Sequence, residues 1–121
     1  VVCAVMDARR MQFYNAIFSV KDGVVTRICD DRAISIDDLR KELSSYDKVI
    51  VAGDGARLCM SGLKLDNCFL ADDDKIYQNA VSVSKAAHNV KPISPKSLMP
   101  VYLRLSQAER ELKLKKETKK P

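Results

Sequence analysis

VVCAVMDARRMQFYNAIFSV, residues Val1 to Val20, is the stretch on which the fold turns. Six residues of mostly buried type, Val1 to Met6, run straight into Asp7-Ala8-Arg9-Arg10, and a second apolar stretch, Gln12 to Val20, follows. The first reads as a buried strand. In the second, Tyr14, Ala16, Phe18 and Val20 alternate onto one face, which is the period of a strand. Lys21-Asp22-Gly23 then supplies an Asp-Gly hairpin signal, and Val24 to Cys29 reads as a third strand. The chain therefore opens with three antiparallel strands joined by short turns.

Alternating helices and strands come next. Ser35 is placed to cap a helix, with Asp37 and Asp38 in its first turn and Ile36, Leu39 and Leu43 as its buried stripe. Lys48 to Ala52 (KVIVA) is an unbroken apolar run, as expected of a strand covered on both faces. Gly53-Asp54-Gly55 ends it, and a short helix over Ala56 to Met60 precedes Gly62. Asn67 to Ala71 reads as another buried strand, stopped by Asp72-Asp73-Asp74. Tyr77 to Asn89 reads as a helix with Tyr77, Ala80, Val81 and Ala87 on one side. Pro92, Pro95 and Pro100 mark an extended connector, and Ser106 to Glu117 a final charged helix. The order is βββαβαβα with a tail. That is the layout of a ribonuclease-H-like, actin-like α/β lobe with a mixed sheet.

A chain of 121 residues is one domain's worth. Its composition, 46% hydrophobic and 31% charged, is that of an ordinary globular protein. No apolar run approaches the roughly 18 residues of a membrane span, and nothing resembles a signal peptide. The chain begins without an initiator Met and already inside a strand, which reads as a fragment cut at a domain boundary. The net charge of +5 is uneven. Residues 1–103 carry 14 Lys and Arg against 13 Asp and Glu, and residues 104–121 carry 7 against 3. The body is nearly neutral and the tail is basic. Cys3, Cys29, Cys59 and Cys68 lie far apart with no CxxC pair, which argues against zinc and against a disulfide framework. A reducing, cytoplasmic setting fits that usage.

Several kinds of chemistry are conceivable. Asp7, Asp54 and Asp72 to Asp74 all follow strands, and carboxylates converging at strand ends hold magnesium in ribonuclease-H-like nucleases. The plainer role of such aspartates is to form Asx-turns and caps. VIVAGDGA is a strand with a glycine-flanked turn, which lets backbone amides approach a ligand at Gly53 to Gly55. The Asp7 turn weighs against a phosphate cradle, because Arg9, Arg10, Met11 and Gln12 are bulky. Arg9 and Arg10 are themselves candidates for a phosphate or an acidic partner, beside the plainer role of solvated turn residues. His88 is the one histidine, HExxH and GxSxG are absent, and a hydrolase reading has nothing to stand on. In the tail, Lys113, Lys115, Lys116, Lys119 and Lys120 read first as a solubilising end and second as a weak RNA contact, without an aromatic residue to stack on bases.

MDARRMQFYNAIF near the start and PVYLRLSQAERELK near the end, with the GDG turn between them, resemble the TsaB family, also called YeaZ. The resemblance runs from about Met6 to Leu112 and covers only the C-terminal lobe of the family. By this resemblance, residues 1–104 are an actin-like C-terminal lobe, residues 105–121 a charged helix and tail, and an N-terminal lobe is absent. Members of the family, once labelled glycoproteases, are bacterial, cytoplasmic scaffolds in tRNA processing. They are needed when TsaD (Gcp), with TsaE, makes threonylcarbamoyladenosine next to the anticodon. The resemblance implies no catalytic residue, no metal and no cofactor in this lobe, since ATP and metal belong to the partner subunits. It implies contact with TsaD mainly through the missing lobe, tRNA as the substrate of the complex, no membrane, and a possible homodimer. Asp7, Gly53, Asp54, Gly55, Pro100, Tyr102 and Arg104 are then motif residues with structural roles. Asp7 to Arg10 stands where active actin-like relatives keep a glycine-rich phosphate loop.

Overall fold

The computed structural model describes residues 1–119; Lys120, one of the tail lysines named above, lies outside the described residues. Strands β1 (Val2–Asp7), β2 (Gln12–Lys21) and β3 (Val24–Ser35) form the opening meander. Helix α1 (Ile36–Leu43), strand β4 (Val49–Ala52), helix α2 (Ala56–Leu63), strand β5 (Cys68–Leu70) and helix α3 (Ala80–Ala87) follow. A 3-10 turn at Pro95–Ser97 and helix α4 (Gln107–Thr118) complete the described chain. The five strands make one sheet in the order β3-β2-β1-β4-β5. β2 is antiparallel to both neighbours, whereas β4 is parallel to β1 and to β5. This mixed sheet is the ribonuclease-H-like, actin-like lobe expected from the element order.

Local chemistry accounts for most boundaries. Asp22 and Gly23 both have positive φ, 51° and 75°, the requirement of the two-residue hairpin turn that matches strand twist. Ser35 caps α1 by accepting a hydrogen bond from the Asp38 N–H at 3.2 Å. The far end of α1 is closed by Asn67, whose Nδ2 donates to the Leu43 and Tyr46 carbonyls at 2.9 and 2.7 Å. Arg40 ties the two core helices together. Its Nε and Nη2 donate to the carbonyls of Leu63 and Gly62, which end α2 without helical partners. In α4, Ser106 and Glu109 bond reciprocally as a capping box, so this segment has a built N-terminus.

The core lies on one side of the sheet. Cys3 and Val5 of β1, Phe13 and Ile17 of β2, and Val49 and Val51 of β4 pack against Ile36, Leu39 and Leu43 of α1 and Ala56, Cys59 and Leu63 of α2. Asn15 is the one buried polar residue among the described residues. Its Nδ2 donates to the Ala4 carbonyl at 3.0 Å and its Oδ1 accepts from Arg32 Nε at 3.1 Å. Arg32 in turn pairs with Glu42 at 2.7 Å. A polar chain thus crosses β1, β2, β3 and α1 with its groups satisfied.

The other side of the sheet corrects the sequence reading. KVIVA is not covered on both faces: Val49 and Val51 are buried, while Ile50 and Ala52 are only partly so. In NCFLA, Phe69 is exposed. Met6, at the end of the first strand, is exposed as well. The strand residues on this side are apolar, but the two core helices both lie on the opposite face. Helix α3 is shorter than Tyr77 to Asn89, because Asn79 caps it by accepting from the Ser82 N–H, and it buries no residue. β3 is longer than the sequence suggested, because pairing with β2 continues to Ser35.

Candidate functional site

In an open α/β sheet the natural ligand position is outside the carboxyl ends of the strands. Here those ends are Asp7 of β1 and the Gly53-Asp54-Gly55 loop after β4. The structure brings them into direct contact, with the Asp7 N–H donating to Asp54 Oδ1 at 3.3 Å. Both glycines are required by how closely the loop approaches β1. A Cβ on Gly53 would fall 2.1 Å from the Val5 carbonyl oxygen, and Gly53 has a φ of +113°. A Cβ on Gly55 would fall 2.8 Å from the Asp7 nitrogen.

This approach uses the amides that a phosphate cradle would need. Gly53 N–H donates to the Ile76 carbonyl at 2.7 Å, and Gly55 N–H to the Val5 carbonyl at 3.2 Å. The Ala56 N–H turns back onto Gly53. The glycines of GDG therefore serve loop-to-strand packing.

The β1–β2 turn is closed in a different way. Arg9, Arg10 and Met11 have φ values of 69°, 55° and 53°, a run of three left-handed residues without a glycine among them. Each such residue costs roughly 1–2 kcal/mol. The turn is held by Arg9 N–H to Asp7 Oδ1 at 2.7 Å, Ala8 N–H to the Gln12 carbonyl at 2.9 Å, and Ile36 N–H to the Met11 carbonyl at 3.0 Å. Ala8 is buried, and the Met11 methyl lies against Gly62 of α2. Arg9 and Arg10 are exposed and form no ion pair among the described residues.

The remaining sequence candidates separate. Asp72 pairs with Lys75 and Asp73 with Arg57, and neither is hydrogen-bonded to Asp7 or Asp54. Among the described residues no three His, Cys, Asp or Glu side chains are grouped so as to hold a metal ion. Lys113, Lys115, Lys116 and Lys119 stand exposed around α4. Pro100 lies in the exposed connector. Tyr102 and Arg104 come back to the sheet, where Arg104 Nη1 donates to Gln12 Oε1 at 2.9 Å.

That return encloses a cleft of about 750 Å³ over the open sheet face. Its lining includes Ala4, Ala16 and Ala52 from the strands, with Tyr14, Tyr77, Tyr102 and Arg104 around them. Sequence reasoning placed Tyr14 and Ala16 on one face but did not connect them with Tyr77 or Tyr102. The one available signal was the apolar character of both faces of β1 and β4, which leaves a second surface to be filled.

Three of the four thiols are buried. Burial pushes Cys3 and Cys59 up to about 12 from an ordinary value of 9.0, and burial also raises Cys68. All four cysteines are free, and only Cys29 is partly accessible. At pH 8 the native protein is expected to react with a thiol reagent once, at Cys29, and four times after unfolding. Two or more fast native thiols would contradict the structure. The shift also fixes a sign: above pH 9 the unfolded thiols ionise while the folded ones do not, so stability falls as pH rises from 9 toward 12.

No family model and no curated protein matches the sequence. Among solved structures, the chain resembles an uncharacterized protein with similarity to peptidase YeaZ from Pseudomonas aeruginosa. The TM-score is 0.57 at 15% identity, over 85% of this chain and 49% of that one. This likeness shows a YeaZ-like fold, and the chain spans about half the length of that protein. No helix among the described residues is long and apolar enough to cross a membrane.

Proposed function

We propose that this chain is a non-catalytic lobe of a YeaZ-like scaffold protein that supports a TsaD-type subunit in threonylcarbamoyladenosine modification of tRNA, in the cytoplasm. One observation carries the non-catalytic part of the reading. The two places where an actin-like lobe would grip nucleotide phosphates are both closed from within, one by loop amides bonded to Val5 and Ile76, the other by the left-handed Arg9–Met11 turn. The fold shared with a protein similar to YeaZ, and the DARR and VYLRLSQAE motifs, supply the family part. The word peptidase attached to that neighbour has no support in this chain. Cys3, Cys59 and Cys68 are buried, and His88 is exposed beyond the end of α3. ATP and metal then belong to partner subunits, and TsaD and TsaE are engaged mainly by the other lobe of a two-lobed protein.

The test is reconstitution of tRNA modification with TsaD, TsaE and the carbamoyladenylate-making enzyme, with and without the two-lobed protein that carries this lobe. Modification is expected to fall to background when it is left out. Arg9→Ala/Arg10→Ala is expected to leave ATP turnover by the other subunits intact. Equal modification without the protein would refute the reading.

A further inference from the structure

We propose that the chain beyond Tyr77 is a hinged strap, held shut over the open sheet face by a single latch, Arg104 on Gln12, and that release of this latch opens the cleft. Such a device is independent of the scaffold role above. Its hinge end is fixed. Ile76 is buried, and its carbonyl accepts from the Gly53 N–H at 2.7 Å. From Tyr77 to Tyr102 every residue is exposed, and α3, which lies within that stretch, buries nothing. Leu103 and Arg104 are the first residues after Ile76 to be partly buried. Among the described residues, one hydrogen bond joins the chain beyond Tyr77 to the body of the fold, from Arg104 Nη1 to Gln12 Oε1 at 2.9 Å. The α4 helix that follows buries no residue either.

The strap bridges small residues without packing on them. Ala4 pairs with Ala16 on one side and with Ala52 on the other, which sets three small side chains abreast on the sheet. Gln78 and Ser82 near the hinge, and Val101 to Arg104 at the latch end, complete the lining of the cleft above them. Val101 is 79% exposed and Tyr102 86% exposed, so no buried apolar contact holds these two down. Closure therefore rests on the latch, set against the entropy of closing a long loop. The latch combines a fixed post with a weak clasp. Gln12 is the post, since its N–H donates to the Arg9 carbonyl at 3.0 Å and its carbonyl accepts from the Ala8 N–H at 2.9 Å. Its side chain is a neutral amide, which binds a guanidinium less firmly than a bidentate carboxylate does. Asp31 and Asp54 also line the cleft, yet neither pairs with Arg104. Asp31 is held by Arg27 at 2.7 Å, and Asp54 accepts from the Asp7 N–H. A segment with few buried apolar contacts opens locally at low cost in free energy.

The 121-residue chain is compared with latch variants by two measurements. Backbone nitrogen relaxation reads the motion of the strap, and binding of the apolar dye ANS reads access to the surface beneath it. In the unaltered chain, Leu103 and Arg104 are expected to have order parameters near the ~0.85 of rigid backbone, and Val90 and Ile93 to fall below ~0.6. Gln12→Ala and Arg104→Ala should each bring Leu103 below ~0.6. Each should also tighten ANS binding about tenfold, as loss of a charge-assisted hydrogen bond raises the open fraction. The double variant is expected to match either single one, because both remove the same bond. Gln12→Glu offers the guanidinium a carboxylate, so it should keep Leu103 rigid and weaken ANS binding. A mobile Leu103 in the unaltered chain overturns the proposal. So does unchanged ANS binding in Gln12→Ala. If Gln12→Glu behaved as Gln12→Ala does, the cause would be a general loss of packing at Gln12, and the latch would be refuted as well.

Discussion

Gly53→Ala is expected to lower stability by about 4 kcal/mol, from a backbone strain of ~1–3 kcal/mol and a displacement cost of similar size. Two faults coincide at this position. Its φ of +113° is one that L side chains rarely adopt, and the added methyl would meet the Val5 carbonyl oxygen at 2.1 Å. That oxygen belongs to the central strand and accepts from Gly55, so it has no cheap way to yield. Gly23 separates the two faults. Its φ is +75° but nothing lies within 4 Å of an added Cβ, so Gly23→Ala should cost only about 1 kcal/mol. Urea midpoints at an unchanged m-value measure both. Equal shifts for the two variants would mean that the loop does not press on β1. For a domain with roughly 5–15 kcal/mol in all, a 4 kcal/mol loss also lowers the yield of folded protein.

Phe13→Ala should cost a similar ~3–5 kcal/mol, the range for removing a buried aromatic side chain and leaving a cavity. Phe13 is fully buried and opposes Asp7 on β1 and Ile34 on β3. Its Cδ1 lies 3.2 Å from where a Gly55 Cβ would stand, so the ring fills the space beneath the β4–α2 loop. Phe18 is the internal comparison, being the same residue type on the same strand but on the opposite face. It is only partly buried, and Arg27 covers its ring at 4.8 Å. Phe18→Ala should therefore cost about 1 kcal/mol. A chain in which the two substitutions were equally damaging would have a second core where the structure has an open face.

What was legible in the sequence was what local chemistry dictates. Asp22-Gly23 specified its turn, Ser35 with Asp37 and Asp38 specified the start of α1, and Ile36, Leu39 and Leu43 specified its buried stripe. The unread parts depend on contacts distant in sequence. Whether the amides of Gly53 and Gly55 are free depends on Ile76 and Val5, which no local pattern connects to them. The left-handed run at Arg9, Arg10 and Met11 has no glycine or asparagine to announce it. β4 failed for another reason. An apolar run records which faces avoid water, not whether this chain brings the helices to cover them. The candidate site followed the same division: its residues at the strand ends were visible, while the three-tyrosine cleft needed the connector to return to Gln12.

The strand order carries a consequence for how the sheet comes into being. β1, β2 and β3 are neighbours in the chain and in the sheet, so each pairing closes only a short turn and loses little chain entropy. β4 must cross back over the meander to lie beside β1, where Val2 pairs with Ile50, and β5 can add only to β4. Nucleation in the meander and later docking of β4 and β5 is therefore the entropically favoured route. That route coincides with the order in which a ribosome releases the chain, so the template strand already exists when the residues that must find it emerge.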